Sequence, residues 1–216
     1  MSQTVTARKK LGILGGTFNP IHLGHLIIAE AVRQRYGLGK VLFIPSADPP
    51  HKERDEIIDA AHRYRLVCLA IADNPFFEVS DIEMRREGRS YSVDTLHALR
   101  KTDCEPTDYF FIMGGDSVPE LRTWKNIAEL ATLCTLVVVP RPGWDIERMP
   151  ARELGLPESV REGLLRHVVS APLIGISSTE IRRRVRRAES IRYLVPRPVE
   201  DYILKHGLYK KKRTVR

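Results

Sequence analysis

The 216-residue sequence has little cysteine: only Cys68, Cys104 and Cys134, which lie far apart. An odd number of widely spaced cysteines predicts neither a disulfide framework nor a Cys-x-x-Cys metal or redox site. No apolar run approaches the roughly 18 to 20 residues that span a membrane. The N-terminal segment also lacks the apolar core of a signal peptide. We therefore expect a cytoplasmic protein that does not enter the membrane.

Acidic residues are in the minority, with 27 against 35 basic ones and a formal net charge of +8. The last seven residues carry five of the positive charges and no acid, which leaves +3 for residues 1–209. A mildly basic body suits nucleotide substrates, and we do not expect a nucleic-acid partner. We interpret residues 1–209 as a single domain and residues 210–216 as a mobile basic tail.

Short apolar runs alternate with amphipathic segments along the chain. Strands are predicted from Leu11 to Gly16 and over 41–45, 77–82, 109–113, 135–139 and 168–174. Helices are predicted over 22–37, 55–73, 93–100, 119–131 and 157–167, and after Ser178 and Pro198, with Gly207 ending the last. This order predicts a doubly wound, Rossmann-like α/β fold with a parallel sheet, helices on both faces and a small C-terminal helical part.

The apolar positions also predict which helix faces are buried. In the first predicted helix they are Leu23, Leu26, Ile27 and Ala31. In the second predicted helix they are Ile57, Ala61, Tyr64, Val67 and Cys68.

A glycine turn and two histidines join the first predicted strand to the first predicted helix, in the string GGTFNPIHLGH at residues 15–25. Ligands of open α/β sheets bind at the carboxyl ends of strands, where a helix N-terminus attracts phosphate. His22 and His25 are three residues apart, so both rings can reach the same phosphate oxygens. Alone, the pair is also compatible with a metal site or with two unrelated surface histidines.

A second polar string, ISSTEIRRR, occupies residues 176–184. Ser178 or Thr179 is the expected N-cap of a helix, and Arg182 falls in its first turns. Hydroxyl groups, backbone N–H groups and a guanidinium then face one point, which suits a triphosphate. We interpret the remaining arginines as an ordinary charged helix face: Arg183, Arg184, Arg186 and Arg187.

These strings resemble the two signatures of the nucleotidyltransferase superfamily that shares an HxGH motif and an ISSTxIR motif. Further segments occur in the order found in bacterial nicotinate-mononucleotide adenylyltransferases: PPHK at 49–52, SYSVDT at 90–95, GGD at 114–116, WK at 124–125, RPG at 141–143 and YLVP at 193–196. The resemblance spans about residues 10–209, which implies one nucleotidyltransferase domain. Asn19, Ser92 and Gly115 depart from the residues common in that family.

The resemblance also implies roles for individual residues. Those matching ATP-binding positions are Gly15, Gly16, Thr17, Phe18, His22, His25, Gly114, Asp116, Ile176, Ser178, Thr179 and Arg182. Those matching mononucleotide-binding positions are Lys52, Ser92, Trp124 and Arg141, with Trp124 stacking on the pyridine ring.

The implied reaction is in-line attack of the nicotinate mononucleotide phosphate on the α-phosphorus of ATP. The candidate catalytic groups are His22, His25, Lys52 and Arg182, acting as cations near the leaving pyrophosphate. No carboxylate cage is visible, so Mg²⁺ is expected to arrive with ATP. Two alternatives stay open: another adenylyl- or cytidylyltransferase of the superfamily, and an inactive nucleotide- or nucleic-acid-binding regulator. The sequence also leaves open whether the protein forms a homo-oligomer.

Overall fold

The computed structural model describes residues 8–49, 57–143 and 154–210. Its centre is a five-stranded sheet in the order β3-β2-β1-β4-β5, and every neighbouring pair is parallel. The strands are β1 (Lys9–Gly16), β2 (Lys40–Pro45), β3 (Phe77–Val79), β4 (Thr107–Gly114) and β5 (Thr135–Val139). The predicted doubly wound fold is confirmed.

Helices cover both faces of this sheet. They are α1 (Leu23–Tyr36), α2 (Ala60–Ile71), α3 (Ser92–Thr102), a 3₁₀ helix (Gly115–Thr123), α4 (Ile127–Leu133), α5 (Glu158–Arg166), α6 (Ser178–Arg186) and α7 (Arg197–Lys205). Successive strand residues point to opposite faces, so Phe43 enters one core while Leu42 and Ile44 enter the other. The first core holds α1, α2, α6 and α7, and the second holds α3, the 3₁₀ helix, α4 and α5.

The strand order reverses between β1 and β4, and this reversal places the site. The chain leaves β1 into α1 on one face, whereas it leaves β4 into the 3₁₀ helix on the other face. Elements that diverge in this way open a crevice at the carboxyl ends of the two strands. Both glycine-containing segments singled out in the sequence, at 15–16 and 114–115, therefore meet at this crevice.

Two predicted elements beyond β4 are wrong. The helix predicted over 119–131 is split into the 3₁₀ helix and α4, because Asn126 adopts a left-handed conformation (φ 50°) that interrupts the helical path. The strand predicted over 168–174 reduces to a single bridge between Val168 and Val138. Pro172 within it lacks the N–H group that a strand ladder requires.

The predicted buried faces also need correction. In α1 the most deeply buried residues are Gly24, Ile28, Ala29 and Val32, while the predicted face is half-buried. Helix α2 begins at Ala60 behind the N-cap Asp59, later than predicted, and Ala61 is exposed. Gly207 ends α7 as expected, with φ 60° and a bond from the Leu208 N–H to the Ile203 carbonyl.

Some expectations fall on parts of the chain outside the described residues, namely Lys52, the start of the second helix at 55–56, and the basic tail at 211–216. The division into one domain and a tail stays a prediction. None of the described helices combines the length and hydrophobicity that a membrane crossing requires.

Arg63 in α2 is only 1% exposed. It is charged, and it is the largest side chain among the described residues that are buried so deeply. Its guanidinium donates hydrogen bonds to the carbonyls of Thr17 (2.9 Å), Ser46 (2.6 Å), Ala47 (3.2 Å) and Ile58 (3.1 Å). Thr17 follows β1, and Ser46 and Ala47 follow β2. Arg63 therefore joins the two loops that leave the carboxyl ends of neighbouring strands.

We expect Arg63→Leu to lower the free energy of unfolding by at least about 3 kcal/mol, because four carbonyls lose their donor and each unsatisfied buried group costs about 1 to 3 kcal/mol. Chemical denaturation measures the change. Arg65→Leu is the matched control, since Arg65 is exposed on the same helix. Equal denaturation midpoints for the two variants would contradict a structural role for Arg63.

Candidate active site

A cleft of about 400 Å³ lies at the carboxyl ends of β1 and β4. Most of the site residues predicted from the sequence line it: Gly15, Gly16, Thr17, Phe18, His22, His25, Ser92, Gly114, Asp116, Trp124, Arg141, Ser178, Thr179 and Arg182. Ile176 instead packs against the first core. Lys52 lies outside the described residues.

The two histidines form one stacked unit at the start of α1. His22 immediately precedes the helix and His25 lies in its first turn, and their ring centroids are 3.7 Å apart at an interplanar angle of 29°. The backbone N–H of His22 donates to Nδ1 of His25 at 3.2 Å. This bond leaves the hydrogen of a neutral His25 ring on Nε2, where it can be donated to a ligand.

His22 is almost fully buried, at 1% exposure. Burial, with a further contribution from the charge of Arg141, lowers the pKa of His22 to about 3. Its Nδ1 is buried and has no hydrogen-bond partner among the described residues. Burial therefore keeps this ring neutral near pH 7, contrary to the expectation that His22 acts as a cation.

The second predicted motif begins helix α6. Its N-cap is Ser177, whose hydroxyl accepts the N–H of Glu180 at 3.2 Å, and not Ser178 or Thr179 as predicted. Because Ser178 is not needed as a cap, its hydroxyl donates to the carbonyl of Pro20 at 2.8 Å. The start of α6 is thereby attached to the loop that follows β1.

Arg182 makes a second attachment between these segments. Its side chain is buried, and Nη1 donates to the carbonyl of Asn19 at 3.1 Å while Nη2 donates to the hydroxyl of Thr179 at 3.5 Å. Asn19 accepts the N–H of Ile58 through its side-chain oxygen at 3.4 Å. The guanidinium is thus held beside the histidine-bearing loop.

The neighbouring arginines of α6 behave as the sequence predicts for a charged face. Arg183 and Arg184 form ion pairs with Glu180 at 2.7 and 3.1 Å. Arg187 approaches Glu189 at 3.9 Å.

The other end of the cleft is formed by the start of α3 and by the turn after the 3₁₀ helix. The first N–H groups of any helix lack intrahelical partners. In α3 the N-cap residue Tyr91 makes no side-chain capping bond to them. Trp124 packs edge-on against Phe111 with ring centroids 5.8 Å apart. Lys125 donates to both carboxylate oxygens of Asp94 at 2.9 Å, which fixes this turn against α3.

An ion pair lies where the two ends of the cleft meet. Arg141 Nη1 is 3.2 Å from Asp116 Oδ2, just beyond the end of β4. A Cβ atom added to Gly114 would overlap Asp116 Oδ1 and approach Nε of Arg141 to 3.3 Å. Glycine at position 114 therefore lets this pair lie close to the backbone, and a larger residue would make the two side chains shift.

Three residues that shape the site were not predicted: Arg63, Glu83 and Ser177. Ser177 has a recognisable signal, because Ser177-x-x-Glu180 is a capping-box sequence. Arg63 and Glu83 carry no such signal, since a single charged residue in a polar stretch is normally exposed. Among the described residues, no three His, Cys, Asp or Glu side chains lie close enough together to hold a metal ion.

Comparison with known proteins agrees with this geometry. The cytidylyltransferase-like family model matches residues 13–184. The chain belongs to the cytidylyltransferase-like family. Within that family its relatives include proteins of Thermoanaerobacter sp. (strain X514) and Syntrophotalea carbinolica, both named "Probable nicotinate-nucleotide adenylyltransferase". The first is 46% identical over 94% of this chain and 95% of its own length, and the second 47% identical over 93% and 97%.

A solved structure extends the comparison to the fold of this cytidylyltransferase-like protein. The Plasmodium falciparum nicotinic acid mononucleotide adenylyltransferase complexed with NaAD superposes with a TM-score of 0.75 at 18% identity, covering 94% of this chain and 98% of the other. The same enzyme complexed with APC gives a TM-score of 0.73 at 17% identity. The predicted membership of the nicotinate-mononucleotide adenylyltransferases is confirmed.

The lowered pKa of His22 makes a prediction about stability. Between pH 6.5 and 3 the unfolded chain binds a proton at this residue that the folded chain excludes, so stability is full above pH 6.5 and falls with pH through this window. From pH 6.5 to 5 the wild type should lose about 2 kcal/mol more than His22→Asn. Chemical denaturation at a series of pH values measures this difference. Parallel pH profiles for the two proteins would contradict a buried neutral His22.

Proposed function

We propose that this protein transfers AMP from ATP to nicotinate mononucleotide, releasing pyrophosphate and forming nicotinate adenine dinucleotide for NAD biosynthesis. The observation that carries the proposal is the cleft, which joins two differently built ends. One end holds the His22–His25 stack, the start of α6 and Arg182. The other end holds the start of α3 and Trp124.

The first end suits the ATP phosphates. The starts of α1 and α6 offer backbone N–H groups and positive dipole ends, and Arg182 adds a fixed positive charge. His25 offers its Nε2 hydrogen, and neutral His22 offers a polar ring that needs no counter-ion. Gly114 and Asp116, at the end of β4, are the proposed contacts of the adenosine.

The second end suits the mononucleotide. The uncapped N–H groups at the start of α3, next to Ser92, can donate to the pyridine carboxylate. Trp124 offers an indole face to the electron-poor ring. Arg141 lies between the two ends and can pair with the attacking phosphate, as can Lys52.

The chemistry then needs no enzyme nucleophile. A phosphomonoester has its second pKa near 6 and is largely dianionic at pH 7, so the mononucleotide phosphate can attack the α-phosphorus without a general base. The leaving pyrophosphate gains negative charge in the transition state, and Arg182, Lys52 and the two histidines are the proposed stabilising groups. Positioning and preorganised charge supply the rate enhancement.

Magnesium enters the proposal as the ion that ATP brings with it. The part of the chain that the structure describes contains no cluster of His, Cys, Asp or Glu able to hold a metal by itself. In the proposed complex, phosphate oxygens and water would supply most of the ligands of Mg²⁺, and the ion would offset charge on the phosphates. We retain the cytoplasm as the proposed compartment.

The test is direct: incubation with ATP, Mg²⁺ and nicotinate mononucleotide should yield pyrophosphate and the dinucleotide in equal amounts. Two other substrate pairs serve for comparison: ATP with phosphopantetheine, and CTP with an alcohol phosphate. Turnover of one of these pairs alone would reassign the protein to another branch. Tight, salt-dependent binding of nucleic acid without turnover would favour the inactive regulator.

We expect His25→Ala to lower turnover by at least about tenfold, because one preorganised donor to a developing phosphate charge is lost. Steady-state kinetics on the folded variant measures the effect. His97→Ala is the control, since His97 pairs with Glu129 at the surface and does not line the cleft. A His25→Ala enzyme as fast as the control would remove His25 from the mechanism.

We expect at least about tenfold higher catalytic efficiency with nicotinate mononucleotide than with nicotinamide mononucleotide, because the amide would turn its NH₂ toward backbone donors and leave them unpaired. Trp124→Ala should weaken the binding of both mononucleotides, since the indole stacks on either ring. The ratio of the two catalytic efficiencies should change less. Kinetics with both substrates on both proteins measures the two effects. Equal efficiencies in the unmutated enzyme would overturn this specificity while leaving adenylyl transfer in place.

A further inference from the structure

Glu83 is a buried acid at the mononucleotide end of the cleft. It follows β3, is only 6% exposed, and lines the cleft together with Ser92 and Trp124. Burying a carboxylate is costly unless its oxygens are satisfied. Where its hydrogen bonds go is therefore informative.

Only one of its two oxygens is accounted for. Oε1 accepts the hydroxyl of Thr95 at 2.7 Å. The same hydroxyl accepts Nη2 of Arg86 at 3.3 Å, so a positive charge stands behind the acid. Oε2 is buried and has no hydrogen-bond partner among the described residues. The bond from Thr95 to Oε1 fixes the orientation of the carboxylate.

The surroundings of Glu83 are typical of a site for a delocalised cation. Thr95, which holds Glu83, lies one helical turn after Tyr91, and both line the cleft. The ring of Tyr91 is 5.1 Å from Nζ of Lys125, the residue that follows Trp124. An acid that shares a cleft with aromatic rings attracts a delocalised cation through its charge, and the ring faces add to that attraction. Burial raises the pKa of Glu83, and the neighbouring hydroxyl groups of Thr95 and Ser90, together with the charge of Arg86, oppose that rise.

We propose that Glu83 is a specificity-determining residue that recognises the positive charge of the pyridinium ring in the mononucleotide. This inference rests on the proposed function, in which that ring lies at this end of the cleft. Backbone N–H groups at the start of α3 select the ring's carboxylate, whereas Glu83 selects its quaternary nitrogen. The two charges of the nicotinate ring would then each meet an opposite charge or dipole.

The test compares nicotinate mononucleotide with its carbon isostere, 3-carboxyphenyl riboside 5′-phosphate, which has the same shape and no ring charge. Calorimetric titration gives the dissociation constant of each ligand for each protein. Glu83→Gln keeps the size of the side chain and removes its charge. We expect the preference of the wild type for the charged ring to fall about tenfold in this variant, with affinity for the isostere changing less than twofold.

Glu87→Gln is the matched control, because Glu87 is an exposed acid in the same segment and should leave the preference unchanged. Thr95→Val is a second variant, which keeps every charge and removes the hydroxyl that holds Oε1. It should reduce the preference by a smaller factor, and it decides the question if Glu83→Gln fails to fold.

An equal loss of affinity for both ligands in Glu83→Gln, or an unchanged preference, would overturn this inference and leave Glu83 a structural residue. An unchanged preference in Thr95→Val, when Glu83→Gln does not fold, would overturn it as well. The readout is binding and does not require turnover. Absence of adenylyl transfer by the wild type would therefore count against the proposed function, separately from this result.

Discussion

The site depends on one buried guanidinium. Arg63 has no carboxylate at hydrogen-bond distance among the described residues, and it offsets the cost of burial with four backbone carbonyls from three segments of chain. In a low dielectric such bonds to a charged donor are strong, and each carbonyl would be unsatisfied without it. The polar connections continue from Ala47, whose N–H donates to the hydroxyl of Ser90 at 3.0 Å, into the start of α3. The loop bearing Thr17 and the proposed mononucleotide end of the cleft are thus parts of one hydrogen-bonded unit.

A second set of contacts closes the site from the other end of the chain. Ser178 reaches the carbonyl of Pro20 across 158 residues, and Arg182 reaches the carbonyl of Asn19 across 163. These bonds use backbone acceptors, so they constrain the path of the loop after β1 whatever its side chains are. The stacked histidines, which directly follow that loop, owe their position to both sets of contacts.

Much of this arrangement follows from local sequence. Apolar runs with helical or strand spacing predict the parallel sheet, and glycine and histidine strings at the ends of strands predict where the cleft opens. Most of the features that the sequence does not reveal depend on tertiary contacts. The helix is interrupted at Asn126 and the predicted strand is lost around Pro172. Each change depends on the backbone of one residue, which the spacing of apolar residues does not reveal. Arg63 and Glu83 look like surface residues because the partners that make their burial tolerable are distant in sequence. The sequence predicts a cation at His22 because the two features that keep its ring neutral, burial and the nearby charge of Arg141, exist only in the folded chain.

The long reach of the α6 contacts has a consequence for synthesis. During translation the loop after β1 is made early, whereas the segment bearing Ser178 and Arg182 comes later, since Ser178 is added 158 residues after Pro20. Until that segment has left the ribosome, the proposed phosphate-binding end of the cleft has only one of its two helix starts and no guanidinium from Arg182. A nascent chain that does not yet include this segment therefore lacks a complete nucleotide site. Ligand-linked stabilisation, which requires that site, becomes available only once this segment has been made.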